Sequence, residues 1–222
     1  MSIRKRMRIV KRPYSSPLRE ENARATLSTI IDAAAIEFAG RGYVPVSIDD
    51  IARRAGVSRA TVFNAAGGKA ALLRRAFERA FARAAGGGAA MPLIARPRSV
   101  EIRSGATSQR EYLTGYARLY TEIAAGLAPI YVVMRAAAQA DPEVAAQLSE
   151  TNGVRRRGCT TIVHDVVARG PLRAELRDPE QGADIVYVLN DPGVFHTLVI
   201  ERGWTKEAFA AWLVRSLITQ LV

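Results

Sequence analysis

The sequence predicts an all-α protein, and three observations lead there. Apolar residues recur at three- and four-residue steps along most of its length. Alanine is abundant, aromatics make up only 7% of residues, and the Thr/Val alternation of strands is sparse. Glycine, proline and small polar residues fall between the periodic segments, where helix caps and breaks belong. About nine helices are expected. They divide into an N-terminal helix-turn-helix module and a larger C-terminal helical domain.

Residues 1–22 form a basic arm, expected to lack fixed structure because Pro13 and Pro17 interrupt any helix. Eight Lys/Arg against two Glu lie in the first 25 residues of a chain whose net charge is +11. Such a tail suits a polyanion, since phosphates met by Lys or Arg release counterions; a merely solvated tail is the equal alternative. The N-terminal module spans 23–85. Its first helix, Ala23 to Gly40, carries Leu27, Ile30, Ile31, Ala34, Ala35 and Phe38 on one stripe. Gly40 and Gly42 stop it. Ser47 caps a second helix whose first turn holds Asp49 and Asp50, which suit the free amides and the helix dipole. Ile48, Ile51, Ala52 and Ala55 are its buried side, and Gly56 supplies the turn. Ser58 caps a short third helix that ends at Gly67-Gly68, and a fourth runs from Lys69 to about Ala85.

Residues 86–107, rich in glycine and proline, read as a linker with one short helix near Ser99 to Ser104. The C-terminal domain spans 108–222. Its first helix covers 108–126, and Pro129 is expected to open a separate segment to about Ala140. Asp141-Pro142 starts a long helix to about Arg169, and Asp178-Pro179 another through Leu189, interrupted at "NDPG". The last runs from Thr205 to about Leu221 with Phe209, Trp212, Leu213, Ser216, Leu217 and Gln220 on one face.

The functional signal is "SIDDIARRAGVSRATVFNAAGGK" at 47–69: two short helices about a Gly turn, the second nearly free of charge. A helix entering the major groove, ~12 Å wide, needs short side chains and a few donors rather than a charged outer face. Ser58 and the free amides beside it suit a phosphate. Arg59 can reach a guanine, Ala60 or Thr61 a thymine methyl, and Asn64 a base edge, while Lys69 suits a phosphate.

From about 26 to 83 the chain resembles the TetR family of transcriptional regulators. The likeness rests on Phe38, Gly42-Tyr43, Ser47, Ile51-Ala52, Ala55-Gly56-Val57-Ser58, Thr61-Val62-Phe63 and Lys69 before "AALL". It implies a dimeric DNA-binding regulator, most often a repressor, whose C-terminal domain senses a small molecule. The DNA-contacting set it supports is Ser47, Ser58, Arg59, Ala60, Thr61, Phe63, Asn64 and Lys69. Two departures stand out: Phe63 replaces the usual Tyr, and Ala65-Ala66 replace a His or Tyr followed by Phe, so relatives' phosphate contacts there are missing.

The same resemblance implies that the last two helices pack against their copies in a homodimer, through Ile185, Val188, Leu189, Phe209, Trp212, Leu213, Ser216 and Leu217. Internal core is the alternative for the Phe209 face. Tyr112, Tyr116 and Tyr120 share one helix side, with Tyr131, Met134, Cys159, His164 and Tyr187 on neighbouring helices. Together they could line a pocket for a mostly apolar effector, or simply form core. The arginines at 155–157 read as a solvated face. Two histidines and one cysteine, far apart, give no nucleophile–base pair or metal-ligand spacing, and "GGK" lacks the spacing of a phosphate loop. No enzyme, cofactor or metal is therefore expected. With no apolar run near ~18 residues and no secretory signal, a cytoplasmic protein that meets double-stranded DNA and no membrane is expected. The competing reading is a helical ligand-binding or scaffold protein whose DNA module has degenerated.

Overall fold

The computed structural model describes residues 17–86, 93–176 and 178–222. Among these every regular element is helical: α1 (Pro17–Arg41), α2 (Ile48–Ala55), α3 (Arg59–Ala66), α4 (Lys69–Ala85), α5 (Pro97–Gly105), α6 (Gln109–Ala137), α7 (Pro142–Val167), α8 (Pro179–Leu189), the single-turn α9 (Pro192–Phe195) and α10 (Lys206–Leu221). A 3-10 turn at Leu93–Ala95 precedes α5, and a π turn at His196–Glu201 follows α9.

Local chemistry sets most boundaries. Ser47, Ser58, Ser108, Asp141, Asp178, Asp191 and Thr205 each accept a first-turn amide with the side chain. Pro142, Pro179 and Pro192 follow three of these caps, where a missing N–H costs nothing. Among the described residues α1 already covers Pro17 to Asn22, ahead of the expected start at Ala23. The remainder of the expected basic arm, 1–16, lies outside the described residues. The short helix expected near Ser99 extends to the nine residues of α5.

Pro129 corrects another expectation. Residues 109–137 form one helix with the proline inside it, not two segments. Buried residues on both sides of the ring, Leu127, Ala128, Ile130 and Tyr131, hold the helix across the one backbone bond that proline cannot donate.

That continuity matters because α6 contributes to two cores. Its C-terminal half, with Leu127, Ile130, Val133 and Met134, closes the core formed by Ile30, Phe38, Ile51, Val62 and Leu72 of the first four helices. Its N-terminal half, with Tyr112, Leu113, Tyr116 and Tyr120, packs with Ile162, Val163, Val186, Phe209 and Leu213 of α7, α8 and α10. The N-terminal module is therefore built onto the C-terminal domain through α6. At the α4–α6 crossing Gly126 lies so close that a Cβ there would sit 2.9 Å from the Ala84 Cβ.

Candidate nucleic-acid interface

The α2–turn–α3 unit is assembled from the bottom by caps and one buried charge. The Ser47 hydroxyl accepts from the Asp50 amide at 3.1 Å, and the Asp50 carboxylate accepts from the Ser47 amide at 2.9 Å, a reciprocal capping box. These Ser47 contacts, helped by Arg53, hold the Asp50 carboxyl far below the usual carboxylate range. Gly56 ends α2 at φ 68°, a left-handed conformation that glycine adopts without Cβ strain. Ile48, Ile51 and Ala52 seat α2 on the core.

Glu37 of α1 pins the other side. It is buried, yet accepts from Arg54 at 2.6 Å and Arg41 at 3.0 Å, and the Arg54 bond leads the lowering of its pKa. Sequence reasoning missed this residue because it falls on the apolar stripe of α1. A carboxylate there, with arginine 17 positions on in the next helix, is only readable once the crossing of α1 and α2 is known.

Helix α3 buries Val62 and Ala66 and turns Ser58, Arg59, Ala60, Phe63 and Asn64 outward. Ser47 is also exposed, whereas Thr61 is half-buried with its hydroxyl 2.8 Å from that of Ser58. Phe63 is 45% exposed, a large apolar ring with no core of its own. The guanidinium of Arg59 lies over it at 5.5 Å and donates to Asp49 at 2.7 Å. Lys69 is half-buried: its ammonium lies 4.2 Å from the centre of the Tyr43 ring and donates to the Val44 carbonyl at 3.1 Å. The outer face of this unit is thus free of core contacts and sets the short groups of Ser58, Ala60 and Asn64 beside one guanidinium, Arg59, and one exposed ring, Phe63, a mixture that suits base edges in a DNA groove.

Residues 30–76 match the model of the bacterial regulatory proteins of the tetR family. The match takes in the α2–turn–α3 unit and parts of the helices on either side of it. The chain around it has the fold of such regulators. It is similar over 92% of its length to 96% of the fatty acid degradation regulator FadR from Bacillus halodurans, with a TM-score of 0.65 at 20% identity. It covers 98% of NalD, the secondary repressor of a multidrug efflux pump in Pseudomonas aeruginosa, with 90% of its own length, TM-score 0.65 and 20% identity. Against FadR from Bacillus subtilis, solved with stearoyl-CoA, 86% of this chain matches 97% of that one at TM-score 0.65 and 17% identity. No curated protein matches the chain. Among the described residues no helix is long and apolar enough to cross a membrane.

Behind the tetR-type module, the residues expected to line an effector pocket separate into groups. Tyr112 and Tyr116 border a cavity of about 40 Å³, with Leu93, Ile102, Arg103, Leu119 and Ile162 around it. That is close to the ~30 Å³ share of one water and too small for an effector as it stands. The Tyr112 hydroxyl donates to Asp165 at 2.9 Å, which also accepts from Arg103 at 2.8 Å. The Tyr116 hydroxyl lies 2.6 Å from the side-chain amide of Asn190. Tyr120 is buried, and its hydroxyl has no hydrogen-bond partner among the described residues. Burial drives all three phenols above their ordinary pKa.

The other expected lining residues lie elsewhere. Met134 belongs to the N-terminal core, which the α6 register places on the far half of the helix. His164 is exposed near the end of α7, so it lines no interior surface. Cys159 is buried, and burial pushes its thiol up to about 11, which makes it a small inert core group. Tyr131 and half-buried Tyr187 flank Arg155, which corrects the solvated-face reading of 155–157. The Arg155 side chain is only 15% exposed, donates to the Tyr131 hydroxyl at 3.1 Å and the Tyr187 carbonyl at 3.1 Å, and pairs with Asp191 at 3.3 Å. Helical pitch turned it inward while Arg156 stayed out.

A last correction concerns the expected dimer face. Phe209, Leu213 and Leu217 are fully buried within their own chain, with Phe209 edge-on to Phe195 at 4.9 Å. They are core because α10 lays this stripe onto α6 and α8. Val188 is 63% exposed, and Ile185, Leu189, Trp212 and Ser216 are half-buried.

Proposed function

We propose that this chain is a transcriptional repressor that binds a palindromic operator as a two-fold dimer and releases it when a small molecule enters the C-terminal domain. The single observation that carries the reading is the outward face of α3, with Ser58, Arg59, Ala60, Phe63 and Asn64 exposed within a tetR-type module. One short helix gives little affinity. Two copies about one turn of DNA apart read both half-sites together. Val188 on α8 and Trp204 before α10, both exposed and apolar, favour pairing through that side of the domain.

The effector reading rests on the tyrosine-lined cavity and on the two cores that share α6. A ligand that widened the space around Tyr112 and Tyr116 would displace a helix whose other half seats the DNA module. It shifts the population away from the operator-binding spacing only by its preference for the displaced state. The stearoyl-CoA complex of the structurally similar FadR makes a molecule with a long apolar part the first class to screen.

The decisive experiment uses the full chain to select duplexes from a random library, followed by gel shifts at rising salt. A palindromic consensus with affinity that falls steeply with salt is expected. At that consensus Arg59→Ala should cost ~1–3 kcal/mol and relax preference at one base pair. Recovery of no consensus, with binding indifferent to salt, would overturn the reading in favour of a helical ligand-binding protein.

A further inference from the structure

Asp49 and Asp50 are neighbours in the first turn of α2 with different employment. Asp50 is consumed by the cap, taking the Ser47 amide and hydroxyl and Arg53. Asp49 reaches across to the next helix and accepts from Arg59 Nη1 at 2.7 Å. Both side chains of this pair lie in solvent, 53% and 60% exposed. An ion pair so exposed contributes little to stability. Its effect is to fix the direction of a long side chain that would otherwise sample many rotamers.

Phe63 assists from the other side. It stands one turn beyond Arg59 on α3, and its ring lies beneath the guanidinium at 5.5 Å. The guanidinium is therefore held between a carboxylate on α2 and a ring on α3, at the outward N-terminal end of the recognition helix. Of its five N–H donors the carboxylate occupies one on Nη1. Enough donors remain in the same plane to form the bidentate contact with guanine O6 and N7.

Resting on the DNA-binding reading above, we propose that Asp49 is a specificity-determining positioning residue: it aims Arg59 at a guanine edge and keeps it off the phosphates. Two effects act together. The carboxylate orients the fork, which favours planar two-point recognition of a base. Its negative charge also opposes approach of the backbone phosphates, which weakens binding to every sequence alike. Discrimination is a difference of affinities, and the pair raises it from both sides.

The test compares Asp49→Ala, Asp49→Asn and Arg59→Ala, singly and as the Asp49→Ala/Arg59→Ala double variant, in the full-length chain. The probes are the duplex selected by the wild type, the same duplex with the Arg59-dependent base pair changed, and an unrelated duplex. Asp49→Ala should bind the unrelated duplex several-fold more tightly while preference for the selected base pair falls about tenfold, the order of one bidentate contact. Asp49→Asn keeps an acceptor oxygen, so it should retain more of the preference than Asp49→Ala. With Arg59 already removed, Asp49→Ala should leave base preference unchanged. Equal tightening on all duplexes with preference intact, or no change at all, overturns the proposal, as does an equal loss of preference in both Arg59 backgrounds. A wild-type chain that selects no duplex sequence overturns the DNA-binding reading itself, and is told apart from failure of the pair by that result.

Discussion

The Tyr43 hydroxyl donates to the Asp141 carboxylate across 2.5 Å, joining the turn before α2 to the first residue of the α7 cap. The bond ties the DNA module to the regulatory domain just past the end of α6, whose last residue, Ala137, accepts from the Asp141 amide at 3.0 Å. Tyr43 also lies beneath Lys69, the first residue of α4, so one ring meets the cap of α7 and the start of the last helix of the DNA module. Burial and the Asp141 carboxylate raise the phenol far above its ordinary pKa, and the phenol in turn leads the lowering of Asp141.

Tyr43→Phe keeps the ring under Lys69 and removes only this bond. In urea unfolding it should cost about 1 kcal/mol, the net worth of one hydrogen bond. Asp141→Ala should cost about 1 kcal/mol more, because it also removes the cap of α7. Equal losses for the two variants would show that the cap contributes nothing.

Glu37 supplies a pH signature. Its folded pKa lies below the ordinary value of 4.5, with Arg54 the leading cause. A depressed carboxylate contributes stability that is fully present above that ordinary value and disappears as pH falls through the folded one. Thermal melts of wild type should therefore drop as pH is lowered below 4.5. Glu37→Gln should be less stable at neutral pH and show a shallower acid slope. Parallel slopes in the two proteins would contradict the assignment.

The two faces of the C-terminal helices make opposite predictions. Phe209→Ala empties a buried site and should cost roughly 3–5 kcal/mol. Val188→Asp sits 63% exposed on α8 and should lower the melt only by the share that dimer association contributes, a difference that grows with protein concentration. In light scattering the second variant should have the mass of a single chain where wild type has the mass of two. A dimer that survives Val188→Asp would move the interface away from α8.

Gly126→Ala drives a methyl to 2.9 Å from the Ala84 Cβ at the α4–α6 crossing. Such overpacking should cost roughly 1–3 kcal/mol and push α4 away from α6. Because α4 shares one core with α1, α2 and α3, operator affinity should fall as well, measured by gel shift beside the melt. Unchanged affinity would mean that the two helices part without moving α3.

The elements were legible where cause is local. Ser47, Gly56 and Ser58 mark α2 and α3 through caps and a left-handed turn, chemistry confined to neighbouring residues. Pro129 was misleading for the same reason: its local meaning is a helix start, and only residues packed on both sides hold α6 through it. Likewise the pairing of Glu37 with Arg54, of Arg59 with Asp49 and of Tyr43 with Asp141 joins residues on different elements, and no local pattern announces it.

By itself the sequence determined that the chain is helical, where the capped helices begin, and that its N-terminal part matches a tetR-type module. Those features follow from backbone propensity, periodicity and capping, which act over a turn or two. Tertiary structure alone decided that Phe209, Leu213 and Leu217 face inward, that Arg155 is buried beside Asp191, and that α6 belongs to two cores. An amphipathic helix specifies that one side must leave water, and only the arrangement of its neighbours fixes what that side meets.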